Sequence, residues 1–311
     1  MKNLSKKIKV CILTSVHCVF DDRIFYKEAR TLARAGYDVT LIAQHNKSET
    51  IEGMKIVPLP KPKNRIERFL KTGFLLFKKA LQQKPDVYHF HDPELMPWAL
   101  LLKKITRAKI IYDVHEDVPK SILSKYWIPN YLRKLISSAI NTFEKIIARN
   151  FDMIIVVTAD IGKKFSQKKT IIIRNLPILS IINEEKPIKL DNKRPSVIYA
   201  GGITKIRGIK EIINSIHLLN GRVELWLLGS FSPITLKEEI LTDLDKDYIK
   251  YMGYLPFKEM YAYMKASDIG ILLFLPEPNH IAALPNKMFE YMAAGLPVIA
   301  SNFPLWKEII E

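Results

Sequence analysis

Cysteine is nearly absent: the 311 residues contain two, Cys11 and Cys18. Two thiols so close in sequence build neither a disulfide framework nor a four-ligand metal site, so a reduced chain without metal is expected. Long apolar runs are missing too. No stretch reaches the roughly 18 uninterrupted apolar residues of a membrane span. The N-terminal MKNLSKKIKVCILTS passes into a strand pattern with no signal-peptide cleavage motif. The expectation is a cytoplasmic protein. Acidic charge is short in one half only. Residues 1–190 carry 35 Lys/Arg against 18 Asp/Glu, and residues 191–311 carry 13 against 14. A positive field confined to one half favours an anionic partner: nucleic acid, an acidic membrane surface or a phosphate-bearing substrate. A lysine-rich genome would load both halves alike.

What is present is ordinary globular material, 48% hydrophobic and 26% charged, on a chain too long for one typical core. Two domains are expected. IKVCILTS reads as a strand, RIFYKEARTLARAG as a helix with Phe25, Ala29, Leu32 and Ala33 at helical spacing and Gly36 at its end, and DVTLIAQ as a second strand. That unit opens a parallel sheet. Apolar runs at KIVPLP, DVYHFHD, KIIYDVHE, MIIVVTAD and TIIIRN extend it, closing a first domain over 1–180. Residues 181–195 change to mixed charge with proline and read as a linker. SVIYAGG, VELWLLGS, YIKYMGY, DIGILLFLP and LPVIAS then alternate with helical stretches in a second domain over 196–311. The chain stops in FPLWKEIIE, a helical pattern without the strand expected after it, so this domain reads as incomplete.

Ligands of open α/β sheets bind beyond the carboxyl ends of the strands, and four loops there carry chemistry. In YAGGITKIRGIKEII, Gly201 and Gly202 allow close backbone approach, while Lys205 and Arg207 stand before a helix, a setting for a diphosphate. As readily, two glycines make a turn flanked by surface cations. In LPNKMFEYMAAGLPVIAS, Asn286 can cap a helix that Gly295 ends, with Lys287 and Glu290 on its first turn. An ionised carboxylate there suits a pair of ribose hydroxyls, and equally suits the helix dipole. In IIYDVHEDVPK, His115 lies among Asp113, Glu116 and Asp117, acids that could raise its pKa or accept hydroxyl protons. In HFHDPELMPW, His89 and His91 share a strand face, but no distant partner completes a metal site; His91 and Asp92 read instead as acceptor-side residues. His17, Asp22 and Arg23 follow the first strand on the same side; a helix cap and a solvated turn account for them as well.

The pairing of YAGGI..IRG with PNKMFEYMAAGLPVIAS resembles the donor-binding half of the retaining family 4 glycosyltransferases. TSVH....DDRIFYKEARTLARAGYDVTLIA is similar to the acceptor-domain start of bacterial members that build surface polysaccharide. The resemblance spans nearly the whole chain. It implies an α/β GT-B fold, two facing Rossmann-like doubly wound domains, the second incomplete. It implies a donor ribose on Glu290, the donor phosphates on Arg207, a loop from Leu284 through Pro285 to Asn286 around the donor, and His115 beside the donor sugar. The sequence departs from the family at two points: Ala282 stands where the first acid of a paired-glutamate motif belongs, and Gly202 where the glycine loop carries an arginine. Lys205, Lys287 or Asn279 could compensate.

The expected reaction is transfer of a sugar from a nucleotide-diphosphate donor to a hydroxyl, with retention and without metal or other cofactor. The expected acceptor is a saccharide or lipid-linked saccharide. A sugar-nucleotide epimerase of the same fold and a catalytically silent nucleotide-sugar-binding relative are the alternatives. The basic stretch KPKNRIERFLKTGFLLFKKALQQK reads both as a helix packed on the sheet and as an amphipathic contact with an anionic membrane, which would place the protein peripherally on the inner membrane face. Its aromatics sit at helical spacing and not on exposed strands, which argues against nucleic acid.

Overall fold

The computed structural model describes residues 7–125, 127–191, 194–242 and 247–311. They fall into two compact units, Met1–Arg174 and Asn175–Glu311. The first holds eight strands: β1 (Lys9–Cys18), β2 (Asp38–Gln44), β3 (Glu49–Ile51), β4 (Met54–Leu59), β5 (Val87–Phe90), β6 (Lys109–Val114), β7 (Met153–Val156) and β8 (Thr170–Ile172). Their order is β3-β4-β2-β1-β5-β6-β7-β8. All neighbours pair in parallel except β3 with β4, an antiparallel edge hairpin that the sequence pattern did not suggest. Period-two alternation sorts the side chains onto two cores. Cys11 and Leu13 pack with Tyr88, Phe90 and Tyr112 on one face, while Val10 and Ile12 pack with Phe25 and Leu41 on the other.

The helix after β1 is not a regular α-helix. Asp22–Ala29 is wound as π-helix and only Arg30–Arg34 as α-helix. Asp21 caps it, Oδ1 accepting from the backbone N–H groups of Arg23 and Ile24, both at 3.0 Å. The basic segment expected as one helix is likewise broken into Arg65–Glu67, Arg68–Thr72 and Gly73–Gln83. Leu76, Phe77 and Ala80 bury its inner face, while Ile66, Phe69, Leu70 and Phe74 stand exposed.

The second unit is a five-stranded parallel sheet of β9 (Ser196–Ala200), β10 (Glu224–Leu228), β11 (Ile249–Gly253), β12 (Ile269–Leu272) and β13 (Val298–Ala300), in the order β11-β10-β9-β12-β13. Ile198, Ala200, Trp226 and Leu228 face one core with Tyr291 and Trp306; Val197, Tyr199, Leu225 and Leu227 face the other with Ile209 and Ile212. The segment expected as a linker is partly folded onto this unit. Leu179–Glu184 is helical, Ile182 and Leu190 join the core, and Lys265 Nζ donates to the carbonyl of Glu185 at 2.8 Å.

The ladder between β9 and β12 stops at Ile198. Beyond it the N–H of Ala200 donates to Tyr291 Oη at 2.9 Å. Tyr291→Phe removes that acceptor while keeping the ring. A buried N–H left unmet costs about 1–3 kcal/mol, so urea unfolding followed by far-UV circular dichroism should show the second unit destabilised by that amount.

Candidate functional site

In both sheets the chain order reverses about one central strand. β9 has β10 on one side and β12 on the other; β1 has β2 and β5. At such a reversal the loops leaving the carboxyl ends run in opposite directions and open a crevice. Most of the residues selected from the sequence lie in these loops.

In the second unit, β9 is buried along its whole length and runs into Gly201, whose φ of +131° disfavours any side chain. The Lys287 side chain occupies the space beside it: a Cβ at Gly201 would stand 1.8 Å from Lys287 Nζ. Lys287 therefore lies across the turn after β9. Arg207 closes the same turn, Nη1 donating to the carbonyl of Gly202 at 3.1 Å with the guanidinium 5.5 Å from the centroid of Phe274. Tyr199 Oη donates to the same carbonyl at 2.8 Å. Gly208, at φ +69°, lets the chain pass the backbone of Leu273, whose oxygen a Cβ would meet at 1.7 Å. Burial pushes the Lys287 ammonium down to about 8; Glu290 opposes that shift and Arg207 adds to it. Lys287 thus senses both Arg207 and Glu290, and the three charges share one strand-end region.

Glu290 is buried, with Tyr261 Oη donating to Oε1 at 3.4 Å. Asn286 opens the helix Asn286–Ala293 and is not its cap: Pro285 holds the cap position without a side-chain bond. This corrects the expected capping role, because the amide of a residue already inside the first turn does not face that turn's N–H groups. Gly295 follows the helix at φ +81°, as expected. Leu284 packs against the core, and the loop before it is braced from the last helix, where Trp306 Nε1 donates to the carbonyl of Ala283 at 2.7 Å. Lys205 is exposed on the short 3-10 turn Lys205–Arg207. Ala282 ends the four-residue helix Pro278–Ile281, and Asn279 Oδ1 is buried without a partner.

The first unit gathers its ionisable residues under the carboxyl ends of β1, β5 and β6. Arg23 is buried and grips Asp113 with Nη2 at 3.0 and 2.9 Å, while its Nε lies 2.8 Å from Glu28 Oε1. His89 Nε2 lies 3.3 Å from Asp113, and His91 Nε2 lies 3.2 Å from Glu28. His91 Nδ1 is 2.9 Å from His115 Nε2, the two rings stacked. Burial alone would raise Asp113; the His89 hydrogen bond and the surrounding imidazoles hold its carboxyl far below the usual range. Burial, with the Asp113 charge, raises Glu28.

Arg23 and His91 therefore lie beneath the loops, which corrects their expected place against an acceptor. Asp22 pairs with Lys27 and not with any group of the crevice loops. His115 departs from expectation too. Burial outweighs Asp113 and lowers its imidazole to about 4, and both ring nitrogens face inward, Nδ1 lying 3.4 Å from Asp113. Glu28, His89, His91 and Asp113 bring one donor atom each within 4.8 Å of one another, close enough for a cation, and the guanidinium of Arg23 already lies on both carboxylates.

Arg23→Ala would leave the buried Asp113 and the half-buried Glu28 without their cation. Breaking a buried ion pair from one side costs about 3–5 kcal/mol, and urea denaturation should register a loss of that size in the first unit.

Residues 23–174 match the family model described as Glycosyltransferase Family 4, and residues 194–311 the model described as Glycosyl transferases group 1. A stretch of 47 residues is 45% identical to TuaH of Bacillus subtilis (strain 168), a protein named provisionally as a teichuronic acid biosynthesis glycosyltransferase. That stretch is 15% of this chain and spans only 12% of the relative's length. Among solved structures, the sucrose-phosphate synthase of Thermosynechococcus elongatus superposes with a TM-score of 0.75 at 17% identity, over 96% of this chain and 82% of the other. HepE of Anabaena, solved with UDP and glucose, superposes with a TM-score of 0.69 at 13% identity, over 98% and 83%. The fold is that of the GT-B glycosyltransferases, and each of the two units is matched by a glycosyltransferase family model.

Proposed function

We propose that this chain transfers a sugar from a nucleotide-diphosphate donor to an acceptor hydroxyl with retention, in the synthesis of a surface polysaccharide or glycolipid. The observation that carries the donor half of this reading is Lys287, which lies over Gly201 and senses both Arg207 and Glu290 at the β9/β12 reversal. Two cations there would stabilise the charge growing on a leaving diphosphate, so that no metal is needed. The Glu290 carboxylate would accept hydrogen bonds from the ribose. The loop Leu284–Asn286 would close over the donor, and Lys205, exposed at the edge, would add a further cation. HepE, solved with UDP and glucose, supports the donor class. The name of TuaH supports the polysaccharide product. Retention rests on the likeness to retaining family 4 enzymes. The acceptor, a saccharide or a lipid-linked saccharide, is assigned to the basic first unit.

Calorimetric titration with UDP-, GDP- and ADP-sugars tests the donor half. One class should bind, and Arg207→Ala and Glu290→Ala should each weaken it about tenfold or more, the order of one to two charge-assisted hydrogen bonds. A diphosphate beside Lys287 raises its pKa from about 8. Binding at pH 8.5 should therefore take up a proton, visible as a dependence of the heat on buffer ionisation enthalpy, and affinity should fall as pH rises further. Absence of binding by all three classes would refute the donor site. Interconversion of the donor sugar without any acceptor would identify an epimerase instead.

The same reading places the protein on the cytoplasmic face of an anionic membrane. Ile66, Leu70, Trp127 and Tyr131 are all more than half exposed, in the half of the chain that holds the cationic excess. Co-sedimentation with phosphatidylglycerol vesicles should exceed that with phosphatidylcholine alone, and should fall with salt and with Leu70→Ser.

A further inference from the structure

Two histidines of the first unit stand at alternate positions, and the fold supplies the partners that no spacing along the chain revealed. His89 lies on β5 and His91 just beyond it, so both rings leave the same face, their centroids 4.7 Å apart. Asp113 comes from β6, the neighbouring strand, and Glu28 from the π-wound helix after β1. One donor atom from each of the four falls within 4.8 Å of the others. His91 Nε2 is 3.2 Å and His89 Nε2 3.9 Å from Glu28 Oε2, and His89 Nε2 is 3.3 Å from Asp113 Oδ2. Donor atoms bonded at about 2.1 Å to a tetrahedral zinc stand roughly 3.4 Å apart. Arg23 meets Glu28 through the other oxygen, its Nε lying on Oε1, while Nη2 spans both oxygens of Asp113; Glu28 Oε2 is left to the imidazoles. His91 sets this cluster apart. Its side chain is fully buried, and its Nε2 makes no hydrogen bond. The ring proton is therefore assigned to Nδ1, 2.9 Å from His115 Nε2, and the bare nitrogen faces a carboxylate oxygen. Two lone pairs at 3.2 Å call for a cation or a proton between them.

We propose that Glu28, His89, His91 and Asp113 form a binding site for Zn2+ that ties β5, β6 and the helix at 22–29 together. The site lies wholly within the first unit and stands independently of the glycosyl-transfer reading. Two imidazoles beside two carboxylates select zinc over magnesium and calcium, which favour oxygen ligands. The two carboxylates outnumber the one guanidinium, which leaves a negative charge for the ion to meet. Supporting partners are in place as they are around bound metals: His115 holds the other ring nitrogen of His91, and Arg23 orients both carboxylates. Asp92, the residue after His91, stays outside the set, its Oδ2 accepting from Thr14, Ser15 and Val16. Glu28 is the ligand on the side of entry, its side chain 15% exposed while those of His91 and Asp113 are fully covered. Coordination is an exchange: the Nε2 proton that His89 donates to Asp113 passes to solvent as the ion takes its place. Closing the set onto one ion draws its widest pair together by roughly 1 Å. The rival occupant is a proton. Burial and the Asp113 charge raise Glu28, and a protonated carboxyl group would fill the same gap.

The test titrates the full chain, stripped with EDTA, with Co2+ as a spectroscopic stand-in for Zn2+. Visible ligand-field bands of a four-coordinate ion should appear, saturate at a single Co2+ per chain, vanish when Zn2+ is added and stay when Mg2+ is added. Zn2+ should also raise the Tm of the stripped chain, as any ligand of the folded state does. Glu28→Gln, which keeps the shape and removes the charge, and His91→Gln should each abolish both effects, with far-UV circular dichroism showing that the variants fold. His17→Gln removes a 35% exposed imidazole whose Nδ1 lies 2.8 Å from Asp21 Oδ2, outside the proposed set, and should keep both effects. Absence of the bands in the wild type would mean that a proton holds the gap, and would overturn the inference. So would bands that persist in folded Glu28→Gln or His91→Gln, or bands that His17→Gln removes. Should a variant fail to fold, 15N-histidine spectra of the wild type decide: Zn2+ must shift the Nε2 signals of His89 and His91 and leave that of His17 in place.

Discussion

Parallel strands in the middle of a sheet are hydrogen-bonded along both edges and covered on both faces, so polar chemistry can emerge only where they end. β1 and β9 obey this constraint in each unit. β9 is buried throughout, and Gly201 is the first residue after it that is only partly covered. β1 is buried from Val10 to Ser15, and His17 is the first ionisable side chain past that stretch. The reversal of strand order on either side of each central strand keeps the following loops apart. In the second unit the divergence is visible in the ladder: β12 leaves β9 after Ile198, and Tyr291 meets the N–H that the sheet no longer serves.

The two strand-end regions handle charge in different ways. In the first unit a guanidinium is sunk beneath the loops. Because Arg23 binds Asp113 and lies on Glu28, the imidazoles of His89 and His91 can be buried around them and that of His115 half-buried, each with a polar neighbour. Such a network fixes ring orientations, and its cost of desolvation makes it sensitive to the loss of any member. In the second unit the cations stay at the turn. Lys287 and Arg207 hold no carboxylate in a direct ion pair among the described residues, and burial weakens the proton hold of Lys287. A cation without a bonded counter-ion beside a positive-φ glycine turn is the arrangement an external anion would complete.

Regular periodicity made most elements legible, and its breakdown explains what was not. The helix after β1 carries its apolar residues at α-helical spacing, a winding in which side chains three or four residues apart meet. It is π-wound over 22–29, and its ion pairs are Arg23 with Glu28 and Asp22 with Lys27, both five residues apart. α-Helical spacing gives no sign of the Glu28 contact, whereas Asp21, directly before the helix, follows the ordinary capping rule. The braces of the second unit, Tyr199, Tyr291 and Trp306, are core aromatics with a polar end. Only their hydroxyl and indole contacts reveal that they hold the glycine turn and the loop before Leu284. Helix 179–184 runs into the stretch 181–195 whose mixed charge reads as linker and hides Ile182, the residue that docks it.

The sequence by itself determined the parallel α/β architecture, the glycine turn at 201–202 and the helix that Gly295 ends. Each of these is written in local periodicity or in a backbone angle that few residues tolerate. Tertiary structure decided which charges are covered. His115 lies among Asp113, Glu116 and Asp117 and precedes a helix in sequence, a pattern that suggests a raised pKa, yet burial lowers it because its nitrogens turn toward His91 and Asp113. His17 carries no stronger sequence signal and keeps a fixed carboxylate with a face in solvent. Desolvation depends on what packs around a group in three dimensions, and no spacing along the chain encodes it.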